Sequence, residues 1–511
     1  MTGTVKATTG ASSASKLTWK TIDWSHANVE VKRLQMRIAK AVREKRYNKA
    51  KALQWLLTHS FSGKALAVKR VVSTPGSKTP GVDGVLWNTL NEKMEAVLSL
   101  QRRGYKPLPL RRIYIPKRLG GLRPLSIPPM KCRSMQALHL LAVEPVMETE
   151  ADKNAYGFRP KRSCADAIEQ CFTVLARKVS AFWVLKGDIR ACFDNLSGEW
   201  LKDHILIDKA ILTKWLTAGY VERKYLHPTL DGVPQGGVIS PALLVLGLSG
   251  LENLLRKGTS QKDKVNLISY ADDFVITGST KAVLEDKVMP IVAEFLRERG
   301  LELSKEKTKL THVDDGFNFL GFNLRKYGGK LLIKPGKQNI KDFLGSIRGI
   351  IKSNKTANAV NLIRLLNPKI RGWANYYRHV VSKEIFNYVD SCILEALMQW
   401  IKRRHPGKSA GWWKNKYFRS QGMRHWIFSA IEKGKDGKAI HLDLLKASYL
   451  PIRRHVKIRS DANPHDPAYD QYFRDRQRFK NEARLKDQMF LHLKRIETLE
   501  THRTAGSHGD F

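Results

Sequence analysis

The chain contains 511 residues, and 42% of them are apolar, which is enough for a sizeable core and excludes a mostly disordered protein. Lys and Arg together number 90 against 47 Asp and Glu, so the formal charge is +43 and the natural partner is a polyanion such as nucleic acid. No apolar run reaches the roughly 18–20 residues that span a bilayer, and no secretory signal opens the chain, so we expect no membrane partner.

The predicted elements alternate between helical and extended segments. Residues 1–15 are small and polar, and we expect them to be disordered. The apolar spacing predicts helices at 23–72, 131–147, 201–218, 240–255 and 281–300. Extended segments are predicted at 108–128, as a hairpin, and at 182–189, 317–324 and 331–333. Beyond Lys334 we expect helices, then a basic extended segment at 441–459 and a charged helix at 468–501.

Two adjacent carboxylates, Asp272 and Asp273, are the most informative feature of the chain. They follow Tyr270-Ala271 and lie between two apolar runs, a pattern that predicts two strands joined by a tight turn. Asp188 ends another apolar strand and supplies a third carboxylate. Such oxygens bind Mg²⁺, and two ions about 3.5–4 Å apart can hold the attacking and leaving oxygens of nucleotidyl transfer. Taken alone, an Asp-Asp pair is more often an ordinary turn.

Other residues suit the binding of a nucleotide. Lys117 and Arg123 flank Gly120-Gly121 of the predicted hairpin and could converge on a triphosphate, although a solvated basic ribbon has the same pattern. Phe193 could pack against the incoming sugar and disfavour a 2′-hydroxyl, or it could be a core aromatic. Gln235 precedes two glycines and could lie near the nascent base pair, or its segment is only a flexible turn before a helix.

In this order, the motifs resemble the sequence blocks of reverse transcriptases, and the resemblance is closer still to bacterial group II intron-encoded proteins. It covers roughly residues 20–475. The further matching segments are Thr79–Gly84, Tyr156-Gly157-Phe158-Arg159-Pro160, Gly232–Pro241, Leu303-Ser304, Glu306–Lys309, Phe319-Leu320-Gly321-Phe322 and Asn367–Tyr377.

The resemblance implies an α+β fold: a right-hand polymerase, with fingers and palm built on antiparallel sheet, followed by an α-helical thumb/maturase domain and a basic C-terminal DNA-binding region. The expected domains are a disordered N-terminus (1–15), an N-terminal extension (16–78), reverse transcriptase fingers and palm (79–335), the thumb/maturase domain (336–440), and the basic C-terminal region with its tail (441–511).

The same resemblance assigns roles to individual residues. Asp188, Asp272 and Asp273 are expected to be catalytic and, with Ile189, to hold two Mg²⁺ ions. The expected nucleotide-binding residues are Lys117, Arg123, Phe193 and Gln235. The expected RNA contacts on the thumb are Arg371, Trp373, Tyr376, Tyr377 and Arg378, of which Trp373 is the best candidate for a core residue instead. The expected DNA or RNA contacts of the last region are Arg453, Arg454, His455, Lys457 and Arg459.

The implied function is that of a group II intron-encoded reverse transcriptase and maturase, which copies RNA into DNA and binds intron RNA to promote splicing and retrohoming. The expected partners are group II intron RNA, a DNA target, an RNA template–primer and dNTPs, for a monomer or dimer in the bacterial cytoplasm that joins the nucleoid when bound to DNA. Two alternatives stay open: a non-catalytic RNA-binding splicing cofactor and a domesticated reverse transcriptase.

Many relatives continue into a His-Asn-His endonuclease that carries C-x-x-C pairs. The cysteines of this chain, Cys132, Cys164, Cys171, Cys192 and Cys392, form no such pair. We therefore expect neither that endonuclease nor zinc, and a primer that comes from elsewhere, such as a nascent strand at a replication fork.

Overall fold

The computed structural model describes residues 18–116, 120–229, 232–421, 424–433 and 439–504, and it gives the backbone alone for residues 421, 424 and 490–504. The disorder expected of residues 1–15 and the role expected of Lys117 concern residues outside this description. Within it, no helix is both long and apolar enough to cross a bilayer.

Helices and strands are mixed along the chain, and the expected α+β fold is confirmed. The α-helices are α1 (Trp24–Arg43), α2 (Tyr47–His59), α3 (Phe61–Val72), α4 (Leu90–Ser99), α5 (Met130–Glu150), α6 (Cys164–Leu175), α7 (Cys192–Asn195), α8 (Gly198–His204), α9 (Lys209–Leu216), α10 (Ser240–Gly247), α11 (Leu251–Gly258), α12 (Met289–Arg297), α13 (Lys337–Ser353), α14 (Ala359–Tyr377), α15 (Lys383–Arg404), α16 (Ala410–Tyr417) and α17 (Asp470–Thr504). The strands are β1 (Leu110–Pro116), β2 (Leu122–Ile127), β3 (Trp183–Asp188), β4 (Tyr220–Glu222), β5 (Tyr225–His227), β6 (Asn266–Tyr270), β7 (Asp273–Gly278), β8 (Lys309–His312), β9 (Phe317–Phe319), β10 (Phe322–Tyr327), β11 (Lys330–Pro335), β12 (Phe418–Gln421), β13 (Arg424–Lys433) and β14 (Ala439–Asp443).

The palm is an antiparallel sheet in the order β6-β7-β3-β8. Successive side chains of a strand face opposite sides, so Leu185 packs into one apolar core and Val184 into another. Gly187 lies opposite Phe274, and a Cβ on this glycine would come within 2.1 Å of the Phe274 ring. The sheet thus separates the two cores and is closely packed at the end where β3 finishes.

The N-terminal helices pack onto one long helix of the fingers. Helix α1 begins at Asp23, whose carboxylate accepts hydrogen bonds from the backbone N–H groups of Ser25 and His26. Helices α1, α2 and α3 all lie against α5, which is buried along most of its length. The helices predicted at 23–72 and 131–147 are therefore present, and the N-terminal extension shares its core with the fingers.

The predicted hairpin of the fingers is formed by β1 and β2, with Ile115 opposite Arg123. Gly120 and Gly121 at its tip have φ values of 92° and 79°, a conformation that other residues rarely adopt. Strand β4 runs parallel to β1 and pairs with β5, so the hairpin is one side of a larger sheet.

Two predicted helices are each interrupted. Segment 201–218 contains the end of α8 and all of α9, because the carboxylate of Asp208 accepts hydrogen bonds from two backbone N–H groups and starts a new helix there. Segment 240–255 contains α10 and most of α11, which are separated at Gly250, where φ is 101°. Capping and glycine therefore outweighed the continuous apolar spacing.

The strand predicted at 317–324 is two strands, β9 and β10, joined by a turn at Leu320-Gly321 with φ values of 48° and 81°. Strand β10 pairs in turn with β11. This small sheet shares the second core with α13, α14 and α15, the helices expected of a thumb.

A three-stranded sheet is formed by β12, β13 and β14. Strands β12 and β13 lie where helices were predicted, whereas β14 overlaps the start of the extended segment predicted at 441–459. The signal for the sheet was a short run of aromatic and β-branched residues, Trp426-Ile427-Phe428, of the kind that favours a strand. Strand β14 crosses the domain boundary expected at 440/441 and pairs with β13 from Ser429 to Lys433. We therefore propose a boundary after Asp443 instead.

Residues 451–489, here called the C-terminal strap, run back along the molecule after this sheet. The strap is extended to residue 459 and becomes helical again at Asp470. Its ends and middle contact different parts of the protein: Lys32 of α1 pairs with Asp470, Asp166 of α6 accepts hydrogen bonds from His455 and Arg476, and Arg378 after α14 pairs with Asp487. One segment thus connects the N-terminal helices, the palm and the thumb.

Candidate active site

Three carboxylates meet at one end of the palm sheet. Asp188 is the last residue of β3 and lies opposite Asp273, the first residue of β7. Asp272 is in the turn that joins β6 to β7, where Ala271 has a φ of 58°. The tight turn predicted at this position is confirmed. The pairing of β3 with β7 brings the distant Asp188 next to it.

The turn is supported from outside by the segment Tyr156–Pro160. The backbone N–H of Tyr156 donates to the carbonyl of Ser269 over 2.9 Å, and a Cβ on Gly157 would come within 2.2 Å of the backbone nitrogen of Ala271. Arg159 is buried and donates to the Glu148 carboxylate at 2.8 and 3.1 Å. This motif therefore shapes the turn that carries Asp272 rather than contacting substrate through Arg159.

Burial opposes ionisation of the two turn carboxylates. It raises the pKa of Asp272, with a further increase from the charge of Asp188, while Arg123 and Lys307 act in the opposite direction. Burial also raises the pKa of Asp273 to about 6, which Lys186 counteracts and the two other carboxylates reinforce. Ionised together, the three groups need additional positive charge.

The donors fit a divalent cation. Oδ1 of Asp273 is buried and has no hydrogen-bond partner within the described residues, and Lys186 Nζ is 3.8 Å from it. Ile189 could contribute only its backbone carbonyl. In the described part of the chain, no three His, Cys, Asp or Glu side chains are grouped so as to hold a metal ion by themselves. Mg²⁺ commonly binds through one or two carboxylates and substrate phosphates, which is compatible with this arrangement.

Phe193 lies in a short helical turn just after Asp188. The turn starts at Ala191, which has a φ of 43°. The Phe193 ring is half-buried, and its centroid is 6.3 Å from that of Phe158 in an edge-to-face arrangement. The carbonyl of Phe193 accepts a hydrogen bond from the N–H of Val233 over 2.6 Å. Backbone contacts thus fix the turn that carries the ring, five residues after Asp188.

Gln235 lies in a loop that contacts both the strand of Arg123 and the turn of Phe193. Its carbonyl accepts a hydrogen bond from the N–H of Ser126 in β2 over 2.7 Å, three residues beyond Arg123. At the next position, a Cβ on Gly236 would come within 2.5 Å of the Ser126 carbonyl. The loop therefore connects the hairpin strand of Arg123 to the turn of Phe193, and the charge of Arg123 acts on Asp272. Lys117, the other expected cation, lies outside the described residues.

The expected RNA contacts of the thumb differ in their placement. Arg371 is exposed, whereas Trp373 stacks on Phe343 with ring centroids 4.6 Å apart and belongs to the core. Tyr377 is also buried, and the hydroxyl of Tyr376 donates to the Leu320 carbonyl over 2.9 Å.

Arg378 is used within the protein. Its guanidinium donates to Asp487 at 2.7 and 3.1 Å and to the Pro451 carbonyl. Of the expected thumb contacts, Arg371 is therefore the exposed cation. The local sequence around Arg378 could not predict that its side chain binds within the protein, because its carboxylate partner, Asp487, is on the strap.

The basic residues of the strap fall into two groups, those whose side chains bind the protein and those whose side chains are exposed. Arg453 pairs with Asp487 at 2.8 Å, His455 binds Asp166, and Lys457 donates to Gln170. Arg454 between them is exposed, as expected when successive side chains of an extended segment face opposite ways. Arg459 is exposed as well, with its guanidinium 5.1 Å from the ring centroid of Tyr472. Contact with nucleic acid stays a prediction for Arg454 and Arg459, whereas the three other side chains bind the protein itself.

An antiparallel palm with paired carboxylates, a fingers hairpin bearing a cation and a helical thumb define a template-dependent nucleotidyl-transfer polymerase. Comparison with protein families agrees: residues 115–324 match the reverse transcriptase (RNA-dependent DNA polymerase) family, residues 19–100 the N-terminal domain of reverse transcriptase, and residues 340–418 the group II intron maturase-specific domain.

Two relatives narrow the class. Protein YkfC of Escherichia coli (strain K12) is 32% identical to this chain over 337 residues. The match covers 56% of this chain and 88% of the length of YkfC. The group II intron-encoded protein LtrA of Lactococcus lactis subsp. cremoris is 25% identical to this chain over 479 residues. The match covers 72% of this chain and 79% of the length of LtrA.

The chain belongs to the group II intron-encoded reverse transcriptase and maturase family. It is a reverse transcriptase, and its maturase domain binds intron RNA. Enzymes of this family use divalent metal ions.

Proposed function

We propose that Asp188, Asp272 and Asp273 form the catalytic centre, with two Mg²⁺ ions as the metal cofactor. The observation that carries this proposal is the pairing of Asp188 with Asp273 at one sheet end, beside the turn of Asp272, with a buried carboxylate oxygen that has no described partner. When bound, the ions would activate the primer 3′-hydroxyl and neutralise charge on the α-phosphate and the departing pyrophosphate.

The side chains of the chain have distinct roles in this proposal. Asp188 and Asp272 would be the main ligands of the ions, Asp273 a supporting ligand, and the backbone carbonyl of Ile189 a further oxygen ligand. Arg123, together with Lys117, binds the triphosphate, since a guanidinium matches phosphate geometry.

The remaining residues select and orient the nucleotide. Phe193 packs against the sugar and excludes a 2′-hydroxyl, and Gln235 lies under the nascent base pair. Together they orient the dNTP so that the 3′-hydroxyl of the primer attacks its α-phosphate and pyrophosphate leaves.

We also propose that the exposed cations Arg371, Arg454 and Arg459 contact nucleic acid: intron RNA on the thumb, and the DNA target or template on the strap. This extends the maturase activity to retrohoming, in which the protein carries its intron RNA into DNA. The large positive charge supports such contacts, because phosphate neutralisation releases counterions and favours binding.

The test is primer extension on an RNA template with Mg²⁺ and dNTPs, comparing the wild type with Asp272→Asn. We expect synthesis by the wild type and a loss of about 10²–10³-fold in the variant, since one charged group of the proposed reaction centre is removed. Splicing of the intron RNA, measured on the same preparations, should be retained by the variant. Equal synthesis by both proteins would place the catalytic centre elsewhere, and a folded, RNA-binding wild type without synthesis would favour a splicing cofactor.

A further inference from the structure

One lysine already binds a carboxylate of the proposed catalytic centre. Nζ of Lys307 lies 2.9 Å from Oδ1 of Asp188, at hydrogen-bond distance. The side chain of Lys307 is 64% exposed and that of Asp188 20%, so water and ions reach the pair. The corresponding contact of Lys186 with Asp273 is longer, at 3.8 Å, and is no hydrogen bond.

The backbone of Lys307 is fixed next to Asp188. The N–H of Ser304 donates to the carbonyl of Asp188 over 2.8 Å, and Leu303 forms a bridge with Ile189. A turn follows at once, in which the N–H groups of Lys307 and Thr308 donate to the Ser304 carbonyl at 3.2 and 2.9 Å. The segment is thus attached to the strand end that carries Asp188, and the long, exposed side chain of Lys307 reaches that carboxylate from it.

An ammonium and a divalent cation cannot both occupy the same lone-pair region of one carboxylate oxygen. An ion that binds Oδ1 of Asp188 on the side where the ammonium lies therefore displaces the lysine. The displaced ammonium stays within the site because its backbone is anchored there, and its charge also acts on Asp272 and Asp273.

We propose that Lys307 is a positioning residue that competes with the divalent cation for Asp188, so that metal binding requires the ammonium to move away from this carboxylate. The proposal rests on the proposed role of Asp188 as a metal ligand. It goes beyond that role, because it assigns to Lys307 a control of metal affinity that is separate from substrate binding.

The first test is Mn²⁺ binding, followed by the loss of the free-ion signal in electron paramagnetic resonance at about 0.15 M salt, where distant charges are largely screened. Lys307→Gln should bind Mn²⁺ about threefold to fivefold more tightly than the wild type, the effect of one exposed ion pair. Lys305→Gln is the matched control, because Lys305 is exposed on the same loop and has no described hydrogen bond or ion pair. It removes the same charge without removing the contact, so its affinity should stay close to that of the wild type.

Asp188→Asn separates failure of the inference from failure of the catalytic proposal. If Mn²⁺ binding depends on Asp188 but Lys307→Gln and Lys305→Gln have the same affinity, Lys307 does not compete, and only the inference is overturned. If no binding depends on Asp188 in any of the proteins, the metal centre proposed there is overturned as well.

A second measurement needs no variant of Lys307. Wild-type protein is exposed to a short pulse of an amine-acylating reagent with and without Mg²⁺, and the modified lysines are identified by peptide mass spectrometry. Displacement from Asp188 predicts that Mg²⁺ increases the acylation of Lys307 and leaves that of Lys305 unchanged. Equal acylation of Lys307 under both conditions would contradict the displacement.

Discussion

The surroundings of the palm carboxylates determine how readily these groups ionise. Burial raises the pKa of Asp272 and Asp273, and the proximity of Asp188 makes three ionised carboxylates mutually repulsive. Arg123 and Lys307 supply compensating charge from two different segments of the chain. In the proposed catalytic centre a divalent cation would complete this balance, which agrees with the use of divalent metal ions by the family.

At this scale, the sugar specificity can be tested through Phe193. Replacing Phe193 with Ala removes the half-buried ring in the turn after Asp188 and, under the proposed role, opens space beside the sugar. We expect the preference for a dNTP over the matching rNTP to fall by about tenfold or more, the size of effect that one steric contact has on selectivity. The measurement is the ratio of kcat/KM for the two nucleotides on one RNA template.

The control for Phe193 is Phe158→Ala, which removes the neighbouring exposed ring but leaves the turn after Asp188 intact. Its nucleotide preference should stay closer to that of the wild type. If Phe193→Ala uses dNTPs normally and keeps the full preference, the ring is a core aromatic and does not select the sugar.

At the scale of elements, the catalytic turn depends on a second segment that packs against it. Gly157 is the contact point, because a Cβ there would lie 2.2 Å from the backbone nitrogen of Ala271. Gly157→Ala must therefore move the turn or its own segment. Displacements of about 1 Å can cost up to about 10²-fold in rate, so we expect a loss of tenfold or more in single-turnover primer extension.

The matched control for Gly157 is Gly345→Ala in α13, where a Cβ meets nothing within 4 Å. The same substitution there should stabilise the protein by about 0.4–1 kcal/mol and leave the rate unchanged. Thermal unfolding of both variants gives the comparison. A normal rate in Gly157→Ala with only a lower Tm would mean that Gly157 serves the fold but not the position of the turn.

The elements also show what the sequence could reveal. The turn at Asp272 and the hairpin of Arg123 were predictable because their apolar alternation and turn residues are local. The division of 201–218 was not, because a single carboxylate, Asp208, outweighed a continuous helical pattern. The inward role of Arg378 depends on Asp487, which is 109 residues away in the chain, and no local pattern records such a pairing.

At the scale of the whole molecule, the C-terminal strap contacts parts of the protein that are far apart in the chain. Asp166 of the palm is its central contact, since its carboxylate accepts hydrogen bonds from His455 at 2.8 Å, the N–H of Ile458 at 2.7 Å and Arg476 at 3.0 Å. The basic run that was predicted to contact nucleic acid therefore also contains His455, which binds the strap to the protein through Asp166. The thumb, palm and N-terminal helices are thereby joined by a segment outside all three.

Asp166→Asn should release the middle of the strap. The carboxylate is fully buried, and removing one partner of a buried ion pair costs about 3–5 kcal/mol. We expect faster hydrogen–deuterium exchange across residues 455–476, measured by mass spectrometry on the full chain. Asp461→Asn is the control, because that carboxylate is exposed and accepts a hydrogen bond from the nearby Tyr469 hydroxyl, so exchange there should change little. Equal exchange in both variants would show that Asp166 does not hold the strap.

The pH dependence of this contact has a defined direction. Burial raises the pKa of Asp166, but hydrogen bonds from His455, Ser163 and the Ile458 backbone outweigh it and leave the pKa at about 2. Since an Asp in an unfolded chain has a pKa of about 3.9, the contact stabilises the strap fully above about pH 4 and loses this contribution as the pH falls through about 2. Asp166→Asn lacks this titration, so the strap of the variant should exchange at a rate that depends less on pH in that window. An identical acid dependence in the wild type and the variant would assign the acid sensitivity of the strap to other groups.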